Sequence, residues 1–249
     1  MRPLNSTVTR APSLPASVRI LQVTGAVLFL VSLGLGGRAY VSTFGATARP
    51  GPHTVAAVLW NVLLFSVFAL HHSVLARTPL KQWLHARVGA DVERSLYVIV
   101  ASILFLACTL AWVPLPGTWY ALTGPWWWMG AGIQWAGLIV TVVAARALNV
   151  KELMGLAPPR HLATPHEQPP AVETRGLYGM VRHPIYFGWV LFVAGAPVMT
   201  STRLLFAVIS VAYLVAAIPL EERSLVAAFG EPYRDYQRQV RWRMVPGLY

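Results

Sequence analysis

The sequence predicts an all-α integral membrane protein, a bundle of five to six transmembrane helices with a cytoplasmic helical segment at its C-terminal end. Composition is the first observation behind this prediction: of 249 residues, 56% are hydrophobic and only 12% are charged. Soluble domains carry roughly 25% charged residues, and a soluble chain so poor in charge would expose large apolar patches. The second observation is that the apolar residues fall into six runs, separated by polar or proline-containing stretches.

Four of the six runs have the length of a membrane span. They cover residues 20–37, 54–70, 96–113 and 126–145, within the roughly 17–25 residues that a helix needs to cross the hydrocarbon. The last two runs, 185–199 and 204–219, are shorter, so either flanking turns extend them or the pair sits partly sunken. The first run has a signal peptide as its alternative, because arginines precede it and Ala46-Thr47-Ala48 resembles a cleavage site. Its length favours a retained helix.

The distribution of charge predicts the orientation. The formal net charge is +11, and the connection over residues 114–125 carries no charge. If that connection lies outside, 17 of the 20 Lys and Arg residues fall on the opposite face, which the positive-inside rule makes cytoplasmic. Both termini are then expected in the cytoplasm, at what we predict to be a bacterial inner membrane. The excess of positive charge indicates anionic lipid, and not nucleic acid, as a partner.

These observations divide the chain into four segments. They are a loose N-terminal arm (1–19), a four-helix membrane mounting (20–145), a polar cytoplasmic loop (146–181) and a helical hairpin with a tail (182–249). Asn61 in the second run predicts an interhelical hydrogen bond. The sequence predicts no metal site: the single cysteine, Cys108, cannot form a cluster, and His71-His72 lack histidines on facing helices to complete a haem site.

Residues able to do chemistry gather in the last segment. Arg182 and His183 precede Pro184, which can start a helix because its missing N–H costs nothing there. Tyr186 and Gly188 fall on the first helical turn, where a glycine allows a ligand or another helix to approach closely. An isolated Arg-His-Pro motif is also typical of an interfacial anchor, whose side chains reach the lipid headgroups.

Two adjacent carboxylates, Glu221 and Glu222, follow the sixth run. Carboxylates near the bilayer are costly unless they are solvated or paired, so they indicate either a solvated helix extension or a site for an ammonium or sulfonium cation. In the tail beyond them, Tyr233 and Tyr236 have helical spacing. That tail predicts an amphipathic helix that either lies on lipid headgroups or closes over a ligand.

Several of these stretches resemble a known family. GLYGMVRHPIYFG followed by EERSLVAAFGEPYRDYQRQV resembles the C-terminal signature of integral-membrane methyltransferases, which include isoprenylcysteine carboxyl methyltransferase and the bacterial phospholipid methyltransferases. Upstream, FALHHSVLAR, ERSLYV and WVPLPGTWY are similar to the branch that contains methanethiol S-methyltransferase and its NnrU-type relatives. With these segments the resemblance covers most of the chain from the second run onward.

The resemblance implies S-adenosyl-L-methionine as the methyl donor, bound between the last two helices and the tail. It implies that Glu221 or Glu222 meets the amino group or the sulfonium, and that Arg182 meets the donor's carboxylate or the acceptor. Among Arg238, Arg241 and Arg243, we predict that Arg241 is the basic tail residue of the family. The predicted catalytic residues are therefore Arg182, Glu222 and Arg241. Those predicted to bind the cofactor are Tyr178, His183, Tyr186, Gly188, Glu221, Glu222, Tyr233 and Tyr236.

The predicted function is methylation of a small or lipophilic thiol. Methyl transfer from a sulfonium is a displacement that needs no protein nucleophile, so the protein mainly positions the reactants and excludes water. The segment NVKELMGL lacks the histidine expected in the thiol-methylating branch, which leaves isoprenylcysteine and phospholipid amines as alternative acceptors. A non-catalytic NnrU-type accessory protein and a lipid-binding scaffold are the alternatives from other classes.

Overall fold

The computed structural model describes residues 14–75, 78–148, 150–156 and 172–249, which form a helical bundle with one small sheet. Five of the described helices are long and apolar enough to cross a membrane, and this confirms the predicted all-α membrane bundle. In chain order the elements are α1 (Ala16–Val41), α2 (Thr54–Leu75), α3 (Thr78–Val88), α4 (Ala90–Leu110), β1 (Thr118–Ala121), α5 (Gly124–Ala147), α6 (Val150–Leu153), a 3-10 helix (Gly176–Gly179), α7 (Pro184–Ala194), β2 (Val198–Thr200), α8 (Ser201–Phe229) and α9 (Glu231–Gln239).

Two predicted loops are partly helical. The N-terminal arm was expected to reach residue 19, but α1 begins at Ala16; residues 1–13 lie outside the described part, as do 157–171 of the polar loop. The polar stretch after His72 was expected to be a loop and instead contains α3. Its Leu, Lys, Gln and Arg residues favour a helix whether or not it lies in lipid, so low hydropathy was the wrong criterion there.

A two-stranded antiparallel sheet caps one end of the bundle, where the sequence indicated only connections. The fifth run was expected to stay helical to residue 199, but α7 ends at Ala194 and β2 pairs with β1. Pro197 disfavours the helical conformation of the residue before it, which explains the early end. The predicted turn at 200–203 is the start of α8, where the Thr200 side chain accepts a hydrogen bond from the Arg203 N–H at 3.1 Å.

The last two apolar helices differ greatly in length. Helix α7 has 11 residues and is about 16 Å long, too short for roughly 30 Å of hydrocarbon. Helix α8 has 29 residues and is about 43 Å long, so it extends beyond the hydrocarbon and carries Glu221 and Glu222 with it. Pro219 lies within α8 and cannot donate to the Val215 carbonyl. The Tyr249 hydroxyl donates to that carbonyl at 3.4 Å and compensates for the missing N–H.

Helices α5 and α7 pack with their backbones in contact. A Cβ atom on Gly188 would lie 2.6 Å from the Gly137 carbonyl oxygen, and one on Gly137 would lie 2.5 Å from the Gly188 carbonyl oxygen. Small residues allow this close approach between membrane helices. The structure places Gly188 in the packing against α5, and its predicted position in the cofactor pocket stays a prediction.

Hydrogen bonds of the Asn61 side chain and a cluster of aromatic rings stabilise the half of the bundle nearest the sheet. Asn61 is fully buried, donates to the Val113 carbonyl at 2.8 Å and accepts from the Val113 N–H at 2.9 Å. The sequence predicted an interhelical hydrogen bond, whereas these bonds join α2 to the connection that follows α4. Phe206 of α8 packs on Phe44 and Trp112, with ring centroids 5.0 and 5.4 Å apart. This packing fixes α8, which carries the two glutamates at its other end.

Candidate active site

The start of α7 and the tail after α9 are tied together by their backbones. The Arg182 N–H donates to the Trp242 carbonyl at 2.9 Å, and the His183 N–H donates to the Arg243 carbonyl at 2.8 Å. Pro184 starts α7 as predicted, and His183 is its N-cap residue. The tail therefore lies against the residues that the sequence singled out, and α8 brings the two glutamates to the same place.

Arg182 and Glu222 form a buried ion pair at the centre of this region. The Arg182 Nε atom lies 2.6 Å from Glu222 Oε1, and the two residues are only 8% and 5% exposed. The Arg182 Nη1 atom also donates to the Val240 and Arg241 carbonyls at 2.6 and 3.0 Å. Buried charges need such pairing and hydrogen bonds to offset their desolvation, so Arg182 locks Glu222 and the tail into one arrangement.

His183 lies between the two adjacent carboxylates. Its Nε2 atom is 3.3 Å from Glu222 Oε1, and its Nδ1 atom is 3.7 Å from Glu221 Oε2. The imidazole stacks on the Tyr186 ring with 5.3 Å between centroids, and the Tyr186 hydroxyl donates to Glu221 Oε2 at 2.7 Å. The structure thus brings together five residues predicted for the site: Arg182, His183, Tyr186, Glu221 and Glu222.

Two cavities lie beside α8, one for each glutamate. The larger cavity has a volume of about 380 Å³ and lies between α8 and the tail; Glu222 lines it. The smaller cavity has a volume of about 160 Å³ and lies between α2, α7 and α8; Glu221 lines it. The other residues of the larger cavity are Pro219, Arg223, Val226, Gln237 and Arg243.

Arg243, and not Arg241, is the tail arginine beside the glutamates. The Arg243 Nε atom is 3.5 Å from Glu222 Oε2. The Arg241 guanidinium is exposed and lies 5.6 Å from the centre of the Trp242 ring, a cation–π contact, and only its backbone carbonyl takes part in the cluster. The sequence prediction chose Arg241 as the catalytic arginine of the tail, whereas the structure places the Arg243 side chain, and not that of Arg241, beside Glu222.

Three tyrosines predicted to bind the cofactor contribute to the packing around α9. Tyr178, Tyr233 and Tyr236 are all buried, and none lines either cavity beside α8. The Tyr236 hydroxyl donates to the Tyr178 carbonyl at 2.7 Å. Burial raises the pKa of Tyr236, so the phenol keeps the proton that it donates. Arg182 also lines neither cavity and is a positioning residue in this structure.

The sequence left open whether the sixth helix continues beyond Pro219, and most residues that line the larger cavity are not among the predicted site residues. With the helix continued, Pro219, Glu222, Arg223 and Val226 follow the spacing i, i+3, i+4, i+7 of one helical face. That spacing was a usable signal. No sequence pattern points to Gln237, because its position depends on how the tail folds back on α8. In the structure its Nε2 atom donates to Glu222 Oε2 at 3.3 Å.

Comparison with known proteins gives the class of this protein. Residues 57–240 match a family model described as "Protein of unknown function (DUF1295)". The chain is 34% identical over 224 residues to methanethiol S-methyltransferase 2 of Bradyrhizobium diazoefficiens, a match that covers 90% of this chain and 86% of the relative. The chain is a membrane methyltransferase that belongs to the DUF1295 family, and it is similar to curated methanethiol S-methyltransferases over most of its length.

Two further relatives are similar to this chain over shorter stretches. Methanethiol S-methyltransferase 1 of the same bacterium is 38% identical over 189 residues, covering 75% of this chain and 66% of the relative. The protein-S-isoprenylcysteine O-methyltransferase of Dictyostelium discoideum is 33% identical over 79 residues, which is 30% of this chain and 33% of the relative. That shorter match supports the wider superfamily of membrane methyltransferases. No solved structure gave a significant match.

Proposed function

We propose that this protein transfers the methyl group of S-adenosylmethionine to a small thiol such as methanethiol. The observation that carries the proposal is the cluster of Arg182, His183, Glu221 and Glu222, which lies between two cavities at one end of a membrane helix. The acceptor is suggested by the relatives named methanethiol S-methyltransferase.

The larger cavity fits the chemistry of the donor. S-adenosylmethionine carries a sulfonium, an ammonium and a carboxylate, and it supplies an activated methyl group when bound. Glu222 and Gln237 offer oxygen atoms to the cationic groups, and Arg223 and Arg243 offer guanidinium groups to the carboxylate. The volume of about 380 Å³ lies within the roughly 300–1,000 Å³ of cofactor and ligand sites.

The protein's own part in the reaction is to place and shield the reactants. Arg182 holds Glu222 in a single position, and the tail covers the end of α8 through its bonds to Arg182 and His183. Orientation of two reactants alone supplies a large share of an enzyme's acceleration. We place the site at the cytoplasmic face, because the other end of α8 adjoins the uncharged connection 114–125.

Two features of the remaining chain fit the membrane setting. On α3, Trp83 is exposed and the Arg87 guanidinium lies 4.0 Å from the centre of its ring. Tryptophan and arginine side by side are typical of the membrane–water interface, so we propose that α3 lies on anionic lipid. The predicted division of the chain at residue 145, between a membrane mounting and the segments that follow it, stays a prediction. Helix α5 of the predicted mounting packs directly on α7 of the C-terminal segment.

A methyl-transfer screen tests the proposed function. Purified protein in detergent receives S-adenosylmethionine labelled in its methyl group, together with methanethiol, a prenylcysteine or a phospholipid amine. We expect labelled dimethyl sulfide as the main product. Labelled methyl ester or methylated lipid in its place would contradict the thiol acceptor. No transfer to any acceptor would contradict the assignment of donor and acceptor together.

The two tail arginines provide a sharper test of where the donor binds. Replacing Arg243 by alanine removes a cation from the larger cavity, and charge-assisted contacts contribute about 1.5–3 kcal/mol each, so we expect S-adenosylhomocysteine to bind about 10- to 100-fold more weakly. Arg241→Ala is the matched control and should bind with the affinity of the wild type. Calorimetry measures both; equal losses in the two variants would contradict the placement of the donor beside Arg243.

A further inference from the structure

The two adjacent glutamates of α8 face different cavities. Successive residues of a helix point about 100° apart, so Glu222 lines the cavity beside the tail while Glu221 lines the smaller cavity beside α2 and α7. If the donor occupies the larger cavity, as proposed above, the smaller one is left for the acceptor. The two carboxylates are adjacent on α8, and the His183 ring lies between them.

The smaller cavity has the size and the lining for a small neutral molecule. Its volume of about 160 Å³ is below the roughly 300–1,000 Å³ of sites for drug-sized ligands. Among the described residues that line it, none is Arg or Lys, so an anionic headgroup beside Glu221 would lack a counter-ion. Besides Leu220 and Ser224, the lining residues are His72, Ser73, Tyr186, Tyr213, Ala217 and Glu221.

Hydrogen bonds already fix the polar groups of this lining. The Ser73 and Tyr213 hydroxyls are 3.1 Å apart, and the Tyr97 hydroxyl lies 2.9 Å from His72 Nδ1. Glu221 is the carboxylate of the cavity, and its side chain is 42% exposed. A polar molecule that enters the cavity therefore meets neutral donors and acceptors on most sides and one negative group able to accept a proton.

The His183 ring connects that carboxylate to the second one. A neutral imidazole with its proton on Nε2 donates to Glu222 Oε1 at 3.3 Å and leaves Nδ1 free as an acceptor, 3.7 Å from Glu221 Oε2. This separation is longer than a hydrogen bond, so a proton that reaches Glu221 can pass to Nδ1 once the two side chains approach, and the resulting imidazolium then lies between two carboxylates. The titratable and charged groups around His183 and Glu221 come from several elements. They are Tyr186 from α7, Tyr213 from α8, Tyr97 from α4, His72 from α2, Tyr178 and Tyr233 near the tail, and Arg182 and Arg243 beside Glu222.

We propose that the smaller cavity receives the acceptor as a neutral thiol and that Glu221 removes its proton with the help of His183. This inference rests on the proposed methyltransferase function. The S–H bond breaks and its proton goes to Glu221 and on to His183 Nδ1. The sulfur electron pair forms a bond to the methyl carbon, and the old carbon–sulfur bond leaves its electron pair on the donor sulfur. The products are two neutral thioethers and one proton.

A base is needed because the thiolate is the nucleophile. A cysteine thiol has a pKa of about 8.5, so a thiol is mostly protonated at neutral pH. An acceptor that is already ionised, such as a carboxylate, would not need Glu221. The position of Glu221 beside the smaller cavity therefore makes this chain suited to acceptors that must lose a proton.

The pH dependence of a Glu221→Gln variant tests the base. General bases contribute about 10²- to 10⁴-fold, so we expect methyl transfer to methanethiol to fall by that factor at neutral pH. The deficit should shrink above the pKa of the thiol, where solution supplies the thiolate, and S-adenosylhomocysteine should bind as to the wild type. Glu231→Gln, an exposed carboxylate on α9 paired with Arg234, is the control and should keep the wild-type rate.

An equal deficit at every pH, or loss of S-adenosylhomocysteine binding, would overturn the role of Glu221 as base while wild-type turnover still supports the methyltransferase. A wild type that does not methylate thiols overturns both proposals.

The smaller cavity itself is tested by Ala217→Phe, which fills it. The control is Ala216→Phe, a substitution at the exposed neighbouring residue. We expect a KM for methanethiol raised at least about 10-fold in the first variant alone, the loss of roughly 1.4 kcal/mol of binding, with S-adenosylhomocysteine affinity unchanged. An unchanged KM would overturn the acceptor site.

Discussion

Glu222→Gln is expected to lower methyl transfer by about 10²- to 10³-fold, as the loss of one preorganised electrostatic contact does. The substitution keeps the shape of the side chain but removes the charge that pairs with Arg182 at 2.6 Å. Because Arg182 is buried and would keep its own charge, we also expect a loss of about 3–5 kcal/mol in the free energy of unfolding. Initial rates with labelled donor and thermal unfolding in detergent measure the two effects.

The exposed Glu231 again provides the control for this substitution. Its carboxylate pairs with Arg234 on the surface of α9, and exposed pairs contribute only about 0–1 kcal/mol. Glu231→Gln should therefore leave both the rate and the unfolding transition near those of the wild type. A Glu222→Gln protein that is as active and as stable as Glu231→Gln would show that the buried ion pair neither supports the fold nor takes part in the reaction.

Gly137→Ala should destabilise the protein strongly although it changes one methyl group. The new Cβ would lie 2.5 Å from the Gly188 carbonyl oxygen and 3.0 Å from the Leu191 carbonyl carbon, so α5 and α7 must move apart. Overpacking typically costs about 1–3 kcal/mol. Since α7 carries Arg182 and His183 at its start, we expect the rate of methyl transfer to fall together with the unfolding temperature.

The same helix offers a matched control. A Cβ on Gly132 would meet nothing within 4 Å, so Gly132→Ala should be neutral or stabilise α5 by up to about 1 kcal/mol through its higher helix propensity. Parallel unfolding curves of the two variants in one detergent decide the matter. If Gly137→Ala is as stable as Gly132→Ala, the close packing of α5 on α7 is not what holds the start of α7 in place.

Much of this architecture was predictable because lipid imposes simple rules on a sequence. Apolar runs had to become helices, Pro184 suited a first helical position, and a lone Asn61 in an apolar run needed a partner. The clustering of Arg182, His183, Glu221 and Glu222 was also predictable, since charged groups near a bilayer must pair or reach water. Each of these inferences depends only on the local sequence and on the lipid or water around it, and none of them requires knowledge of the tertiary structure.

The sequence was least informative where a residue's surroundings depend on a distant partner. Pro219 leaves open in the sequence whether the sixth helix ends there or continues, and the Tyr249 hydroxyl, which compensates for the missing N–H, is a distant partner that favours continuation. Gly188 suited a ligand as well as a helix, and its packing on α5 depends on the position of Gly137. Arg241 and Arg243 are equally basic, and the backbone bond from His183 to the Arg243 carbonyl helps to bring the second to Glu222. No local pattern contains these contacts.

The central claim, that the cavity between α8 and the tail binds the methyl donor, is tested most directly by calorimetric titration with S-adenosylhomocysteine. Val226 lines that cavity, whereas Val208 lies on the exposed side of the same helix. We expect the wild type and Val208→Trp to bind with equal affinity and Val226→Trp to show no heat of binding. Equal binding by all three proteins would contradict this location for the donor, and no binding by the wild type would contradict the donor itself.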